Sequence, residues 1–342
     1  MRIAINGFGR IGRMVLRELL FREGISVVAL NDLTDTKTLA HLFKYDSVHG
    51  RFQGEIEHDE DHLFIHPLGA EAAPQPIRVF AESDPLKLPW GELEIDLVIE
   101  STGKFTNPDD AEKHLQAGAK QVILSAPPKP AGKPNAKTIP TVVLGVNQDL
   151  LDAKPSIVSN ASCTTNNVAM LIKVLDDNWG VRSGYITTVH SYTGDQSLHD
   201  RPHRDLRRAR AAATSMIPTT TGAAKAITSV FPKLEGKLGG AGIRVPVLNG
   251  SLTDFTCRLE KDTSVKEINL AFKKAAESEL KDILEYTEDP IVSVDILGNP
   301  HSCIFDAQLT SIVGDMVKVV GWYDNESGYS ARLADLVEIM QK

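Results

Sequence analysis

The alternation of apolar and polar positions divides the chain into short strands and amphipathic helices. Residues 2–6 (RIAIN) form a brief apolar run; GFGRIG then opens a helical spacing through Met14, Val15, Leu19 and Leu20, and SVVALND is a second apolar run. The pattern continues as a helix (TLAHLFKYD), a strand (IDLVIEST), a helix (DDAEKHLQAG) and two strands (KQVILSA and TVVLGVN). Strands alternating with helices predict an α/β domain built on a doubly wound parallel sheet. Residues 127–140, PPKPAGKPNAKTIP, interrupt the alternation with prolines and lysines and read as a surface loop inserted after Ser125.

From residue 163 the pattern changes. A helix (VAMLIKVLDDNWG) precedes a strand (YITTVHSY), a polar and basic loop over 193–210, and TTTGAAKAITSVF, which reads as a helix. Longer strand patterns follow, VPVLNGSLTDFTCRLE, SCIFDAQLT and MVKVVGWYD, with a helix VKEINLAFKKAAES between the first two. This half is predicted to be α+β on a mainly antiparallel sheet. The expected division is residues 1–162 as a nucleotide-binding domain, joined by a C-terminal helix over 327–342, and residues 163–326 as a catalytic domain.

Composition narrows the functional classes. A chain of 342 residues, 42% hydrophobic and 24% charged, is long enough for two cores and holds no run of 18 apolar residues. The opening residues lack the basic flank and apolar stretch of a signal peptide, which predicts a cytoplasmic protein. A net charge of -8 argues against nucleic acid as the main partner, because that binding draws on lysine and arginine. Cys163, Cys257 and Cys303 are odd in number, widely spaced and free of any CxxC pattern, so thiols are expected rather than bridges, and no metal site.

Candidate chemistry then enters at two places. Gly7, Gly9 and Gly12 spell GxGxxG between a strand and a helix, the context in which the motif cradles a pyrophosphate at a helix N-terminus. Asp32 ends the second strand twenty residues past Gly12, where an acid bonds the adenine ribose and repels a 2′-phosphate; NAD is therefore expected over NADP. The second place is SNASCTTNN. Cys163 lies just before an apolar helix, where unpaired N–H groups and the dipole favour a thiolate; a small buried hydrophobe is the competing reading. His190, at the end of YITTVHSY, is the best partner among the histidines, with His199 and His203 in the loop beyond it. Thr219, Thr220, Thr221 and Gly222 supply donors for an anion, and Arg207, Arg208, Arg210 and Arg244 supply guanidinium groups; helix capping and a solvated or subunit-facing surface are the alternatives.

NGFGRIGR, SNASCTTN, HSYTGDQ, DLRRARAAA, IPTTTGAAKA, RVPV and WYDNESGYS, spread from one end of the chain to the other, together resemble phosphorylating glyceraldehyde-3-phosphate dehydrogenase. The resemblance implies a Rossmann-type first domain, Cys163 as nucleophile and His190 as its ion-pair partner. It implies the substrate phosphate near Thr193 and Arg244, and inorganic phosphate near Ser162, Thr164, Arg208, Thr221 and Gly222. For NAD it implies Arg10, Ile11, Asp32, Arg78, Ser125 and Asn325 beside the three glycines, with Pro202 excluding a 2′-phosphate across a subunit interface. A homotetramer follows from the same resemblance, with glyceraldehyde 3-phosphate as substrate. One departure stands out: the family's CTTNC reads CTTNN here, so Asn167 replaces the second cysteine. The related erythrose-4-phosphate dehydrogenase, which hydrolyses its thioester, is the nearer alternative; a secondary nucleic-acid role through RPHRDLRRAR is the remoter one.

Overall fold

The computed structural model describes residues 1–69, 75–130 and 138–341. Two compact units divide them: Met1–Val142, Asp149–Ala161 and Ser330–Lys342 in the first, Val143–Gln148 and Ser162–Tyr329 in the second. The first unit thus ends one residue before the expected boundary, and residues 143–148 join the second.

The first unit is built from β1 (Arg2–Asn6), α1 (Arg10–Leu19), β2 (Ser26–Asn31), α2 (Thr36–Lys44), β3 (Tyr45–Asp46), β4 (Gly50–Arg51), β5 (Gly54–His58), β6 (His62–Pro67), β7 (Pro76–Phe80), β8 (Leu97–Glu100), α3 (Pro108–Gln116), β9 (Gln121–Leu124) and β10 (Ile157–Ser159). Its sheet runs β10-β9-β8-β1-β2-β7-β6-β5, parallel as far as β7 and antiparallel at β6 and β5. The central strands are apolar on both faces: Ile3, Ala4, Ile5, Leu97, Val98 and Ile99 are all fully buried, as a parallel sheet covered by helices requires.

TVVLGVN is not a strand. Thr141 makes an isolated parallel bridge to Ser159, and Val142, Val143 and Leu144 are buried without a ladder. An apolar run reports burial; it does not by itself report pairing. Of the inserted loop, Lys129 N donates to Thr106 O at 3.0 Å, while residues 131–137 lie outside the described residues.

The second unit contains α4 (Cys163–Trp179), β11 (Val181–Ser191), β12 (Ile217–Thr219), α5 (Ala223–Val230), β13 (Leu238–Val245), β14 (Ser251–Leu259), α6 (Val265–Glu277), β15 (Leu284–Thr287), β16 (Cys303–Asp306), β17 (Ser311–Val313), β18 (Met316–Tyr323) and the first turn of α7 (Ser327–Gln341). Its sheet runs β12-β13-β11-β14-β18-β16-β15, with β17 beside β18. Most pairings are antiparallel, but β13 lies parallel to β11 and β15 parallel to β16. VPVLNGSLTDFTCRLE divides into the end of β13 and all of β14, with a turn that uses the left-handed Gly250 (φ 89°). TTTGAAKAITSVF divides likewise: Thr219 closes β12 and α5 begins only at Ala223.

From Ser330 onward, α7 belongs to the first unit. There Arg22 pairs with Asp335 at 2.9 Å and with Glu338 at 3.0 Å. Among the described residues no helix is long and apolar enough to cross a membrane.

Candidate active site

In the first unit the GxGxxG turn has the geometry its glycines require. Gly7 adopts φ 95°, and a Cβ on Gly12 would lie 2.1 Å from the Gly7 carbonyl oxygen, so only glycine lets α1 start this close to β1. A Cβ on Gly9 would meet nothing within 4 Å, which leaves the turn open to an approaching ligand. Gly9 is also the N-cap of α1 and offers no side-chain acceptor, so the cap residue itself does not compete with an anion for the helix N-terminus. Asp32 Oδ2 accepts Phe8 N–H at 2.8 Å and Oδ1 accepts Thr34 N–H at 3.1 Å, fixing the carboxylate at the end of β2 beside the turn. These features fit a dinucleotide whose pyrophosphate meets α1 and whose adenine ribose meets Asp32.

The remaining expected cofactor residues of this unit are arranged less uniformly. Ile11 is partly buried in the first turn of α1. Arg10 forms an ion pair with Asp46 at 2.5 Å. Arg78 is exposed on β7 with its guanidinium 5.0 Å from the Phe80 ring centroid. Ser125, just past β9, donates its N–H to the Glu100 carbonyl at 2.9 Å.

In the second unit Cys163 occupies the first position of α4. Ser162 caps the helix by accepting Thr165 N–H at 3.1 Å, and Ala161 precedes it in the left-handed region at φ 57°. His190 is buried at the end of β11 with Nε2 3.5 Å from Cys163 Sγ. Arg244 stands opposite His190 in the β13–β11 register; its Nη1 lies 2.7 Å from His190 Nδ1 and donates to the Ser191 carbonyl at 3.0 Å.

The electrostatics of the pair are set by burial and by Arg244. Burial and then the Arg244 charge lower the His190 pKa, against the Ser191 carbonyl and Asp195, which raise it, to about 3. Burial also raises the Cys163 thiol, while Arg244 and the Thr164 N–H and hydroxyl pull it the other way. Both shifts act against the charged pair, and Arg244 is the charge that favours the thiolate.

The expected anion ligands are joined in ways their spacing does not reveal. Thr193 donates its hydroxyl to Asp195, whose other oxygen accepts Arg208 Nη1 at 2.9 Å; Arg208 Nε also donates to Thr219 Oγ1 at 3.0 Å. Asp195 thus ties Thr193 to Arg208, two residues assigned to different phosphates. Thr221 Oγ1 accepts Ala223 N–H at 3.2 Å, and Gly222 caps α5 without a side-chain bond. Thr164 Oγ1 lies 2.9 Å from Tyr323 Oη, which also contacts Thr188 Oγ1 at 2.9 Å. Asn325 is buried, its Oδ1 accepting Ser191 Oγ at 2.8 Å and Ser251 Oγ at 3.0 Å. Pro202 is exposed in the loop between β11 and β12.

Asp195, Tyr323, Ser191 and Ser251 escape the sequence reading. Only adjacency in HSYTGDQ hints at Asp195, and nothing in the apolar β18 pattern marks Tyr323. Cys257 and Cys303 are buried in strands, and burial raises both thiols, to about 12 for Cys257, so neither offers a second nucleophile. Among the described residues no cluster of ligands could hold a metal ion.

Comparisons with known proteins converge on one family. Residues 1–108 match the model of the glyceraldehyde 3-phosphate dehydrogenase NAD binding domain, and residues 162–325 match that of the C-terminal domain. The chain is 55% identical to glyceraldehyde-3-phosphate dehydrogenase of Thermotoga maritima, covering 100% of this chain and 99% of that one. It is 54% identical to the Geobacillus stearothermophilus enzyme and 53% identical to glyceraldehyde-3-phosphate dehydrogenase 2 of Streptomyces avermitilis, each over 98% of this chain and 97% of the relative.

Proposed function

Since the chain belongs to the glyceraldehyde-3-phosphate dehydrogenase family, we propose that it oxidises glyceraldehyde 3-phosphate with NAD and inorganic phosphate through a thioester on Cys163. The observation that carries this reading is the 3.5 Å approach of Cys163 Sγ to His190 Nε2 at the N-terminus of α4.

Arg244 is the group that the substrate phosphate engages first. A guanidinium nitrogen only donates, so while Nη1 sits 2.7 Å from His190 Nδ1 it competes with the bond from Nδ1–H to the Ser191 carbonyl, also 2.7 Å long. Transfer of Arg244 to the phosphate leaves Nδ1–H on Ser191 and turns the Nε2 lone pair toward Sγ. The thiol proton then passes to Nε2 as the C–S bond forms. The new Nε2–H and the Cys163 backbone N–H stabilise the oxyanion of the thiohemiacetal. Bound NAD supplies the acceptor for the hydride that leaves this carbon. As the hydride leaves, the carbonyl reforms and the proton on Nε2 passes to solvent, and the thioester retains the oxidation energy. A hydrogenphosphate oxygen attacks it, the C–S bond breaks, and the phosphate's proton passes through His190 Nε2 to sulfur, so that 1,3-bisphosphoglycerate departs and the Cys163 thiol is regenerated.

Ser162, Thr164, Thr193, Arg208, Thr221 and Gly222 are the residues we assign to the two phosphates, and Asn325 to the nicotinamide carboxamide, its Oδ1 being held by two serines. The domain assignment, residues 1–162 with the terminal helix for NAD and 163–326 for catalysis, is part of the same reading. A homotetramer is supported by the exposed Leu198, Leu206 and Met216 of the segment before β12, which a second copy would cover. Three unpaired thiols suit a reducing, cytoplasmic compartment.

The test is NAD reduction with glyceraldehyde 3-phosphate, with and without inorganic phosphate. NADH formation that depends on phosphate is expected; formation indifferent to phosphate would sink the phosphorolytic step in favour of hydrolysis.

A further inference from the structure

Glu100 is the last residue of β8 and is 1% exposed, yet among the described residues no lysine or arginine pairs with it. Oε2 accepts Asn6 Nδ2 at 2.5 Å and His114 Nε2 at 3.1 Å, and Oε1 accepts Thr102 N–H at 2.8 Å and the Thr102 hydroxyl. All four contacts are donors, a set that a carboxylate satisfies and that leaves no place for a carboxyl proton. His114 is fully buried, and Trp90 Nε1–H donates to its Nδ1 at 3.1 Å. An indole N–H only donates, so Nδ1 holds a lone pair, Nε2 carries the proton, and the imidazole is neutral. On the other flank Glu82 N–H donates to Asn31 Oδ1 at 2.9 Å, and Asn31 Nδ2 donates to Asn6 Oδ1 at 2.6 Å. Asn31 Nδ2 also donates back to the Glu82 carbonyl at 2.9 Å; the side-chain bonds from Asn31 through Asn6 and from Trp90 through His114 run toward Glu100, and none of these residues is a lysine or arginine.

The place of this charge matters. Asn6 and Glu100 are register partners at the carboxyl ends of β1 and β8. The strand order β7-β2-β1-β8-β9 reverses between those two strands. In a doubly wound sheet the dinucleotide crosses the carboxyl ends at that switch point. With Asp32 on the β2 side taking the adenine ribose, the nicotinamide half falls on the β8 side.

We infer that Glu100 is a specificity-determining residue for the redox state of the dinucleotide: its buried, unpaired carboxylate favours the cationic nicotinamide of NAD+ over the neutral dihydronicotinamide of NADH. The pyrophosphate and riboses are common to both forms, so the field of Glu100 acts differentially on the ring alone. Two unit charges about 10 Å apart at an effective dielectric of about 20 change a binding constant on the order of tenfold. The inference rests on the reading of this crevice as the NAD site.

Titrating the intact enzyme with NAD+ and, separately, NADH tests it. The wild type is expected to bind NAD+ the more tightly. In Glu100→Gln the NAD+ affinity should fall on the order of tenfold more than the NADH affinity, whereas Glu100→Asp, which keeps the charge, should preserve the ratio even if both affinities weaken. Parallel losses in Glu100→Gln, or the same change of ratio in both variants, overturn the inference and leave Glu100 a shaping residue only. Should Glu100→Gln not fold, tighter wild-type binding of NADH than of NAD+ overturns it alone. Failure of the wild type to bind either dinucleotide would instead sink the NAD reading.

Discussion

Arg244 and His190 face each other in register on the parallel strands β13 and β11, with Arg244 Nη1 2.7 Å from His190 Nδ1. One guanidinium lowers the His190 pKa and favours the Cys163 thiolate. The residue we assign to the substrate phosphate is therefore in contact with the histidine we assign as the base, which would couple recognition to chemistry.

Arg244→Leu should separate the phosphorylated substrate from its unphosphorylated analogue. A charge-assisted hydrogen bond contributes about 1.5–3 kcal/mol, so kcat/KM for glyceraldehyde 3-phosphate is expected to fall roughly 10- to 100-fold. Turnover of plain glyceraldehyde should change far less. Steady-state kinetics on both aldehydes decide it, and equal losses would remove Arg244 from phosphate recognition.

Asp32 supports the Gly-rich turn through Phe8 N–H, and ribose recognition is the second duty we propose for it. Asp32→Ala should therefore weaken NAD binding and, by removing the repulsion of a 2′-phosphate, move the NAD/NADP preference toward NADP by about tenfold or more. The ratio of kcat/KM for the two cofactors is the measurement. An unchanged ratio with weaker NAD binding would leave Asp32 only its structural duty.

The contrast between these two residues shows what the sequence could reveal. Asp32 was legible because its duty depends on local spacing: strand, glycine turn, helix, strand, acid. Cys163 was legible for the same reason, as a thiol at a helix start. The Arg244–His190 contact was not, because it joins residues 54 apart through a parallel strand pairing that no local pattern announces. Nor was the Trp90–His114 contact, which fixes the tautomer of that imidazole across 24 residues of chain. TVVLGVN misled for a physical reason: hydrophobicity selects for burial, and Val142–Leu144 are buried without a strand to pair with. The residues between α2 and β7, whose strands β3 to β6 mix apolar and charged positions, carried no periodicity clear enough to read.

His190 should also impose a pH dependence on stability. Its folded pKa is depressed to about 3, first by burial and then by Arg244, from an ordinary value of 6.5. Between those values the unfolded chain binds a proton that the folded chain does not. Stability contributed by the neutral imidazole is thus present above about pH 6.5 and declines as pH falls, by at most about 1.4 kcal/mol per pH unit. His190→Gln removes this site, so the loss of thermal stability between pH 7 and pH 5 should be smaller in the variant than in the wild type. Equal losses would show that His190 is protonated in the folded enzyme.

Tyr323 offers a test of how firmly the start of α4 is held. Its hydroxyl is buried between Thr164 Oγ1 and Thr188 Oγ1, and burial raises its pKa so far that it stays neutral. Tyr323→Phe keeps the ring, which meets His190 edge-on at 6.0 Å between centroids, and removes only the hydroxyl. Thr188 retains the Leu252 carbonyl at 3.2 Å as an acceptor, so Thr164 bears the loss. A buried hydroxyl left without its partner costs about 1–3 kcal/mol, which should lower the melting temperature by several degrees. Thr164 adjoins the nucleophile, and its freed hydroxyl can turn away from the phosphate assigned to it. The KM for inorganic phosphate should therefore rise while the KM for NAD does not. A variant with wild-type stability would show that the hydroxyl bridge does not hold α4. A variant that is less stable but has an unchanged phosphate KM would confine Tyr323 to packing and remove Thr164 Oγ1 from the phosphate site.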